Sequence, residues 1–318
     1  MEFLYIVIRW IWRALLKAGQ TLGLSQGQIQ HLRVRANAFW AGFIEARVWV
    51  IRIAQRLLGA IGLSVSKTIS RAHLVSLIQR VSPVSSPFPL VRVGGPLDGG
   101  YLLPDDLNGI SACFSPGVAL SATFEIGVAE RSIPSYMVDY SVDGPPVANK
   151  MFHFEKLFLA AHTDGDKYIR LEDWVNANVA DAGDLLLQMD IEGSEWSVLL
   201  DTPDQILKRF RIMVIEFHTL EEMMTSTLGV EMFSTVLDKL FRNFKIVHLH
   251  ANNAAGVHRY KGQMIPRVLE LTFLRSDRFS ISTERFATLL PHPLDQPNMP
   301  NKKEIVLSEP WGTHGKNN

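Results

Sequence analysis

Residues 184–196 read DLLLQMDIEGSEW, and this stretch decides the fold. The apolar run at 185–190 is a candidate strand, Asp190 closes it, and a helical pattern follows at 195–200. The same alternation extends outward in both directions. Candidate strands lie at 110–114, 135–140, 151–157, 212–217, 244–249 and 268–274, with further helical patterns at 120–130 and 229–242. Strands that alternate with helices pair in parallel through right-handed crossovers. The last two strands are joined by a Gly- and Asn-containing loop with no helix pattern, which predicts an antiparallel hairpin at the edge. The expected fold is α/β: a Rossmann-like, doubly wound, seven-stranded, mostly parallel sheet with an antiparallel edge strand, preceded by an N-terminal amphipathic helical region.

In such a sheet, ligands bind beyond the carboxyl ends of the strands, so the polar residues that follow each apolar run are the ones to inspect. Ser115-Pro116-Gly117 follows the first strand and opens onto a helix, where a tight turn presents backbone to a ligand. Asp139 and Asp143 follow the second. An acid there accepts hydrogen bonds from the two hydroxyls of an adenosine ribose, and it equally serves to cap a loop. Asp190 and Glu192 follow the fourth strand, Glu216 and His218 the fifth, and His250, Asn252 and Asn253 the sixth. Each piece is weak alone. S-P-G is no GxGxxG, and Gly94-Gly95 and Asp98-Gly99-Gly100-Tyr101 precede the first good strand instead of opening the helix after it. Trp196 reads as core. What points to a site is the coincidence of Asp190, Glu216/His218 and His250/Asn252 at three successive strand ends.

The chain has 318 residues, 47% hydrophobic and 20% charged, which excludes a disordered, collagen-like or coiled-coil protein. Its length suits a catalytic-sized domain plus an appendage. A single cysteine, Cys113, excludes an intrachain disulfide and a Cys-rich zinc site, and fits a reducing compartment. Lys+Arg and Asp+Glu both number 32, but they are unevenly spread. The first 80 residues hold eleven bases and two acids, Glu2 and Glu45, a net +9 that the other 238 residues offset with −9.

Within that basic arm, Glu2, Arg9, Arg13, Lys17 and Gln20 share one helical face, and the remainder of residues 2–20, including Trp10 and Trp12, is apolar. Residues 39–63 repeat the pattern, with Glu45, Arg52 and Arg56 near one stripe. Neither segment offers the run of about 20 apolar residues that a spanning helix needs. Spanning would bury Arg9 and Arg13, or Arg47 and Arg52, at about 2.5 to 3.5 kcal/mol each. Trp-bearing helices whose charge is almost all basic match the interfacial pattern, so an anionic membrane surface is the leading partner, with packing on the catalytic domain or pairing in an oligomer as the other reading. Nucleic acid is set aside, because the bases sit among wide apolar faces. An acid at position 2 and arginines inside the apolar run do not suit a signal peptide. The expected division is a basic arm at 1–80, a Pro- and Ser-rich linker at 81–89 and the α/β domain at 90–318, in a cytoplasmic protein peripherally attached to the membrane.

MDIEGSEW, residues 189–196, resembles the strand-four segment of the FkbM-like family of S-adenosylmethionine-dependent methyltransferases, in which an acid and a hydrophobic residue precede Glu-Gly-x-Glu. DGGYLLPDD (98–106), ACFSPGVALSATFE (112–125), YMVDYSVD (136–143), LEDWV (171–175), VIEFH (214–218), VHLHANN (247–253) and VLELTFLR (268–275) are similar to further pieces of that family in the same order, spanning 90–310. The resemblance implies a seven-stranded class I methyltransferase fold with S-adenosyl-L-methionine over the first two strands. It carries Ser115, Gly117 and Glu125 to the cofactor site, Asp139 to the ribose hydroxyls, and Asp190 to the cofactor's methionine end or to the acceptor. One departure stands out: class I enzymes show several glycines in the cofactor loop, whereas here Gly117 is followed by Val118, Ala119 and Leu120.

Methyl transfer needs the acceptor held in line with the methyl, a positioning worth roughly 7 to 11 kcal/mol. An alcohol must also lose its proton, and a placed base adds about 10² to 10⁴ in rate. His218 and His250 are the candidate bases, since imidazole titrates near neutrality, and Glu192, Glu216 and Asn252 are candidate acceptor contacts. A divalent ion on Asp190, Glu216 or His218 ranks below a base, because no tight ligand spacing such as HxH plus DD is visible. The expected function is an S-adenosylmethionine-dependent O-methyltransferase acting on a hydroxyl of a glycan or glycolipid at the membrane surface, the acceptor class coming from the family association and the arm. The alternative is a catalytically silent cofactor-fold protein serving as a membrane-associated binding or assembly module, which the glycine-poor loop favours. A nicotinamide-dependent oxidoreductase is disfavoured by the missing dinucleotide fingerprint.

Overall fold

The computed structural model describes residues 68–180, 183–280 and 290–312, together with scattered positions between 25 and 58. Two compact units divide the chain, Met1–Ser66 and Lys67–Asn318. The amphipathic segment expected at 2–20 lies outside the described residues. Of the segment at 39–63, six positions are described, all helical, and Trp49, Val50 and Leu57 among them are exposed. No helix among the described residues is long and apolar enough to cross a membrane.

The second unit runs α1 (Arg71–Arg80), β1 (Leu90–Val93), β2 (Tyr101–Pro104), β3 (Ile110–Pro116), α2 (Thr123–Ala129), β4 (Ser135–Val138), β5 (Phe152–Glu155), β6 (Phe158–Ala160), β7 (Tyr168–Arg170) and α3 (Leu171–Asn178). It continues with β8 (Asp184–Met189), α4 (Glu195–Asp201), α5 (Asp204–Leu207), β9 (Phe210–Phe217), α6 (Leu220–Thr225), α7 (Thr227–Phe241), β10 (Phe244–Ala251), β11 (Val257–Tyr260), β12 (Gln263–Pro266) and β13 (Leu269–Arg275). Seven strands form one sheet in the order β5-β4-β3-β8-β9-β13-β10. The five from β5 to β9 pair in parallel. β13 runs antiparallel to both β9 and β10. The expected edge hairpin is therefore present; β10 is the outermost strand, and the reversed strand β13 lies one place in. The small β11–β12 hairpin interrupts the connection between them.

Alternation along each strand divides the core between the two faces of the sheet. Leu185, Leu187 and Met189 of β8 and Met213, Ile215 and Phe217 of β9 face one cluster, with Leu74 of α1, Trp174 of α3 and Phe233 of α7. Leu186, Ile212 and Val214 face the other, with Tyr101 and Leu103 of β2 and Phe124 of α2. Both sides are covered, which is why the strands read as unbroken apolar runs and not as an apolar–polar alternation. At the amino ends of the parallel strands, Arg211 bonds Asp184 (2.8 Å) and the backbone carbonyls of Asp106 and Asn108, locking the sheet away from the ligand end.

The boundary differs from the one expected at 80. α1 carries Arg71 and Arg80 and so reads with the basic arm, yet it belongs to the second unit. The Ser70 hydroxyl caps it by accepting from the His73 amide (3.2 Å), and Leu74, Leu77 and Ile78, at helical spacing, are buried. Each such side chain contributes about 1.5 to 3 kcal/mol of burial, so packing outweighs the charge pattern. The stretch at 81–89 is likewise fastened down: Val81 is core, and the Val84 amide donates to the Ile246 carbonyl (2.8 Å).

Candidate functional site

The carboxyl ends of β3, β4 and β8 border a cavity of about 520 Å³, whose wall includes Gly117, Asp139, Ser141, Phe158, Tyr168 and Asp190. A second cavity of about 290 Å³, bordered by Asp98, Tyr101, Glu125 and Gln188, shares Gly117, Ala119 and Asp190 with the first. The loop at 117–119 thus stands between two spaces, at the place expected for a ligand in an open α/β sheet.

Gly117 makes this possible. Its φ is +87°, and a Cβ added there would lie 1.6 Å from the Asp190 carbonyl oxygen. No other residue lets the β3 turn approach the end of β8 so closely. The next residues do not need glycine: Ala119 tolerates a φ of +42° because its amide donates to Asp139 Oδ2 (2.9 Å). Asp139 Oδ1 accepts from the amide and the hydroxyl of Ser141 (2.8 and 2.6 Å). Asp139 therefore caps the loop and also lines the larger cavity; with three of a carboxylate's roughly four acceptor positions used, one remains for a ligand hydroxyl.

Ser115 is placed differently from expectation. β3 continues through Pro116, so Ser115 is an interior strand residue, fully buried, with its hydroxyl between Glu125 and Gln188 Oε1 (2.6 Å). It holds the two residues that line the smaller cavity and does not line either cavity itself. Burial pushes the Glu125 carboxyl above its usual range, opposed by the Ser115 hydrogen bond.

His218 sits at the centre of the acidic rim. Its Nδ1 lies 3.0 Å from Glu195 Oε1, and Glu195, wholly buried, also accepts from the amides of Ile191 and Gly193 (both 3.1 Å). Trp196 Nε1 donates to the His218 carbonyl (3.0 Å), fixing the backbone. The ring therefore presents Nε2 toward Asp190 Oδ1 (3.7 Å) and Glu192 Oε2 (3.4 Å). Burial disfavours the charged ring, yet the Glu195 hydrogen bond and the surrounding carboxylates hold the His218 pKa above its ordinary value. Asp190 is pushed up to about 7, by burial first, with His218 opposing and Glu192 and Glu195 adding to the rise. Glu192 reaches this cluster from a left-handed backbone (φ +56°) beside Gly193 (φ +106°).

The other rim candidates lie in the interior, outside the lining of both cavities. Glu216, 4% exposed, accepts from Asn252 Nδ2 (2.7 Å) and the Tyr101 hydroxyl (3.4 Å); Asn252 Oδ1 accepts from the Ala254 amide (2.8 Å). Burial and the charges of Asp190 and Glu270 push the Glu216 carboxyl well up. His250 is clamped on both nitrogens, Nδ1 by Glu270 (3.1 Å) and Nε2 by Glu304 (2.9 Å). Burial opposes its charge, but these carboxylates push its pKa up to about 11. Both nitrogens of His250 are thus engaged by carboxylates, and the ring lines neither cavity. The divalent-ion set read from sequence also changes: Glu216 is engaged elsewhere, and Glu192 takes its place beside Asp190 and His218.

Sequence reasoning missed Glu195, which reads only as an acid opening a helix, and Tyr101, Gln188 and Asp98, which line the second cavity. The i, i+3 step from Glu192 to Glu195 across Gly193 was the available signal for the first. No protein-family model matches the sequence, and no curated protein matches it.

Proposed function

We propose that the protein is an S-adenosylmethionine-dependent O-methyltransferase. The observation that carries this reading is the 520 Å³ cavity where a glycine turn, an acid after the second sheet strand and an acid after the fourth meet at the carboxyl ends of adjacent parallel strands. The residues fit the cofactor on two counts. The Gly117 turn, where any Cβ would meet the Asp190 carbonyl, sets the backbone that borders both cavities, and no lysine or arginine lines either cavity, while Asp98, Glu125, Asp139, Asp190 and Glu192 do, which suits a cationic sulfonium.

The cofactor would supply a methyl group already activated by its positive sulfur. The chain's own residues have the remaining work. Gly117 and Ala119 shape the wall, Asp139 offers its free acceptor position to a ribose hydroxyl, and Phe158 and Tyr168 give an apolar flank. Asp190, Glu192 and His218 face the acceptor, and Glu195 fixes the His218 ring. A hydroxyl of a glycan or glycolipid is the proposed acceptor, with the basic Trp-bearing arm holding the protein at an anionic membrane surface. Calorimetry with S-adenosylmethionine tests the core of the reading. Saturable binding that Asp139→Ala removes is expected, and no binding at millimolar cofactor would leave a catalytically silent fold.

A further inference from the structure

We propose that Asp190, Glu192 and His218 form a binding site for one divalent transition-metal ion, with Mn²⁺ as its probe. One ligand atom from each residue lies within 4.8 Å of the other two. Atoms bound to one ion at about 2.0 to 2.2 Å lie at most about 4.4 Å apart, so side-chain rotation would draw the three ligands together around the ion. Two carboxylate oxygens and one imidazole nitrogen make a mixed donor set, which suits Mn²⁺, Fe²⁺ or Zn²⁺ better than the all-oxygen preference of Ca²⁺.

Three features single this cluster out from an ordinary acidic surface. Oδ1 of Asp190 is buried and has no hydrogen-bond partner, and it is the atom that faces His218 Nε2 at 3.7 Å, beyond hydrogen-bond reach. A withdrawn, unsatisfied carboxylate oxygen is costly, and an ion satisfies it. On the far side of the ring, Nδ1 is held by the wholly buried Glu195, itself anchored by two backbone amides. Metal-bound histidines almost always have their other nitrogen fixed by a carboxylate or carbonyl in this way. Finally, three carboxylates surround one imidazole, and among the described residues no lysine or arginine pairs with any of them.

Ion binding stands apart from methyl transfer; only the ion's task, lowering the pKa of a hydroxyl that coordinates it, rests on the proposed function. The test is Mn²⁺ titration of the full chain without cofactor, followed by electron paramagnetic resonance and calorimetry. Expected are one saturable site with a nitrogen superhyperfine signature, a loss of affinity of at least tenfold in Glu192→Gln and in His218→Ala, and a loss of about 10- to 100-fold in Glu195→Gln. Glu192 is an exposed side chain, so its substitution leaves the fold in place. No saturable binding at millimolar Mn²⁺, or unchanged affinity in either ligand variant, overturns the site. Mn²⁺ binding by a chain that does not bind S-adenosylmethionine would keep the ion and remove the methyltransferase; the reverse pattern would remove only the ion.

Discussion

Replacing His250 with glutamine takes a cation from between two carboxylates, and the cost should depend on pH in a way no neutral packing defect would. The imidazole is 5% exposed, 3.1 Å from Glu270 and 2.9 Å from Glu304. Burial works against its charge, but the Glu270 charge and the two hydrogen bonds prevail, and the pKa rises from 6.5 to about 11. Between those values the folded chain keeps a proton that the unfolded chain has lost. Stability from this group is complete below about pH 6.5, falls as pH rises at about 1.4 kcal/mol per unit, and is gone above about pH 11. From pH 7 to pH 9 the wild type should therefore lose about 3 kcal/mol more than His250→Gln. Urea denaturation at fixed ionic strength, followed by the fluorescence of the buried Trp174, Trp196 and Trp311, measures it. Titrating groups away from the ring contribute alike to both proteins, so the difference reports His250 together with the Glu270 and Glu304 carboxylates it bridges. Parallel stability profiles across that window would refute the assignment of a permanently charged, structural His250.

Gly117→Ala should lower S-adenosylmethionine affinity at least tenfold, because the new Cβ meets the Asp190 carbonyl at 1.6 Å in a backbone with φ +87° and forces the β3 turn away from the end of β8; calorimetry giving wild-type affinity would show that this turn does not shape the cofactor site. Arg211→Met should destabilise the fold by about 3 kcal/mol, the low end for a broken buried pair, since Asp184 keeps Arg275 and Asp106 keeps Arg278. A urea-denaturation loss under about 1 kcal/mol would show that the cluster is dispensable. Flotation of the full chain with anionic vesicles should fall steeply between about 0.1 and 0.5 M salt and be weak on neutral lipid; salt-independent flotation would rule out the electrostatic part of arm binding.

The sheet was legible because parallel strands covered on both faces announce themselves as apolar runs that end in polar residues, as DLLLQMD and RIMVIEFH do. Weaker elements escaped. α3 is only eight residues long, and its i, i+3, i+4 trio of Leu171, Trp174 and Val175 is a single turn of pattern. The strand expected at 151–157 is β5, which ends at Glu155; β6, which starts at Phe158 in a different sheet, lies beyond it and was not expected. α1 was misassigned because local charge says nothing of the core a helix will meet. At the site, sequence located the strand ends but not which polar residues look into the cavities. β10 is an edge strand covered by the segment at 290–312: Asp295 bonds His248 (2.9 Å), Glu304 bonds His250, and Asn253 bonds the Met299 and Lys302 carbonyls. Those partners lie about fifty residues downstream, beyond the reach of spacing or periodicity.

The two histidines that looked equivalent in sequence are placed differently by the structure. Both stand at the carboxyl end of a sheet strand, and both are ringed by acids. His250 has a carboxylate within hydrogen-bond distance of each nitrogen, so neither nitrogen is left to face a ligand. His218 has one nitrogen fixed by Glu195, while the other faces two carboxylates from beyond hydrogen-bond distance or at its limit. Chemistry at a strand end needs that asymmetry, because a ring must be oriented through one atom to be useful through the other. The surroundings reinforce the distinction: Glu304 and Glu270 close over His250, whereas Asp190 and Glu192, the acids before Nε2 of His218, line the larger cavity. On the proposed reading the rim turns on Nε2 of His218, and an ion or an acceptor hydroxyl placed before it would meet Asp190 and Glu192 at the same time.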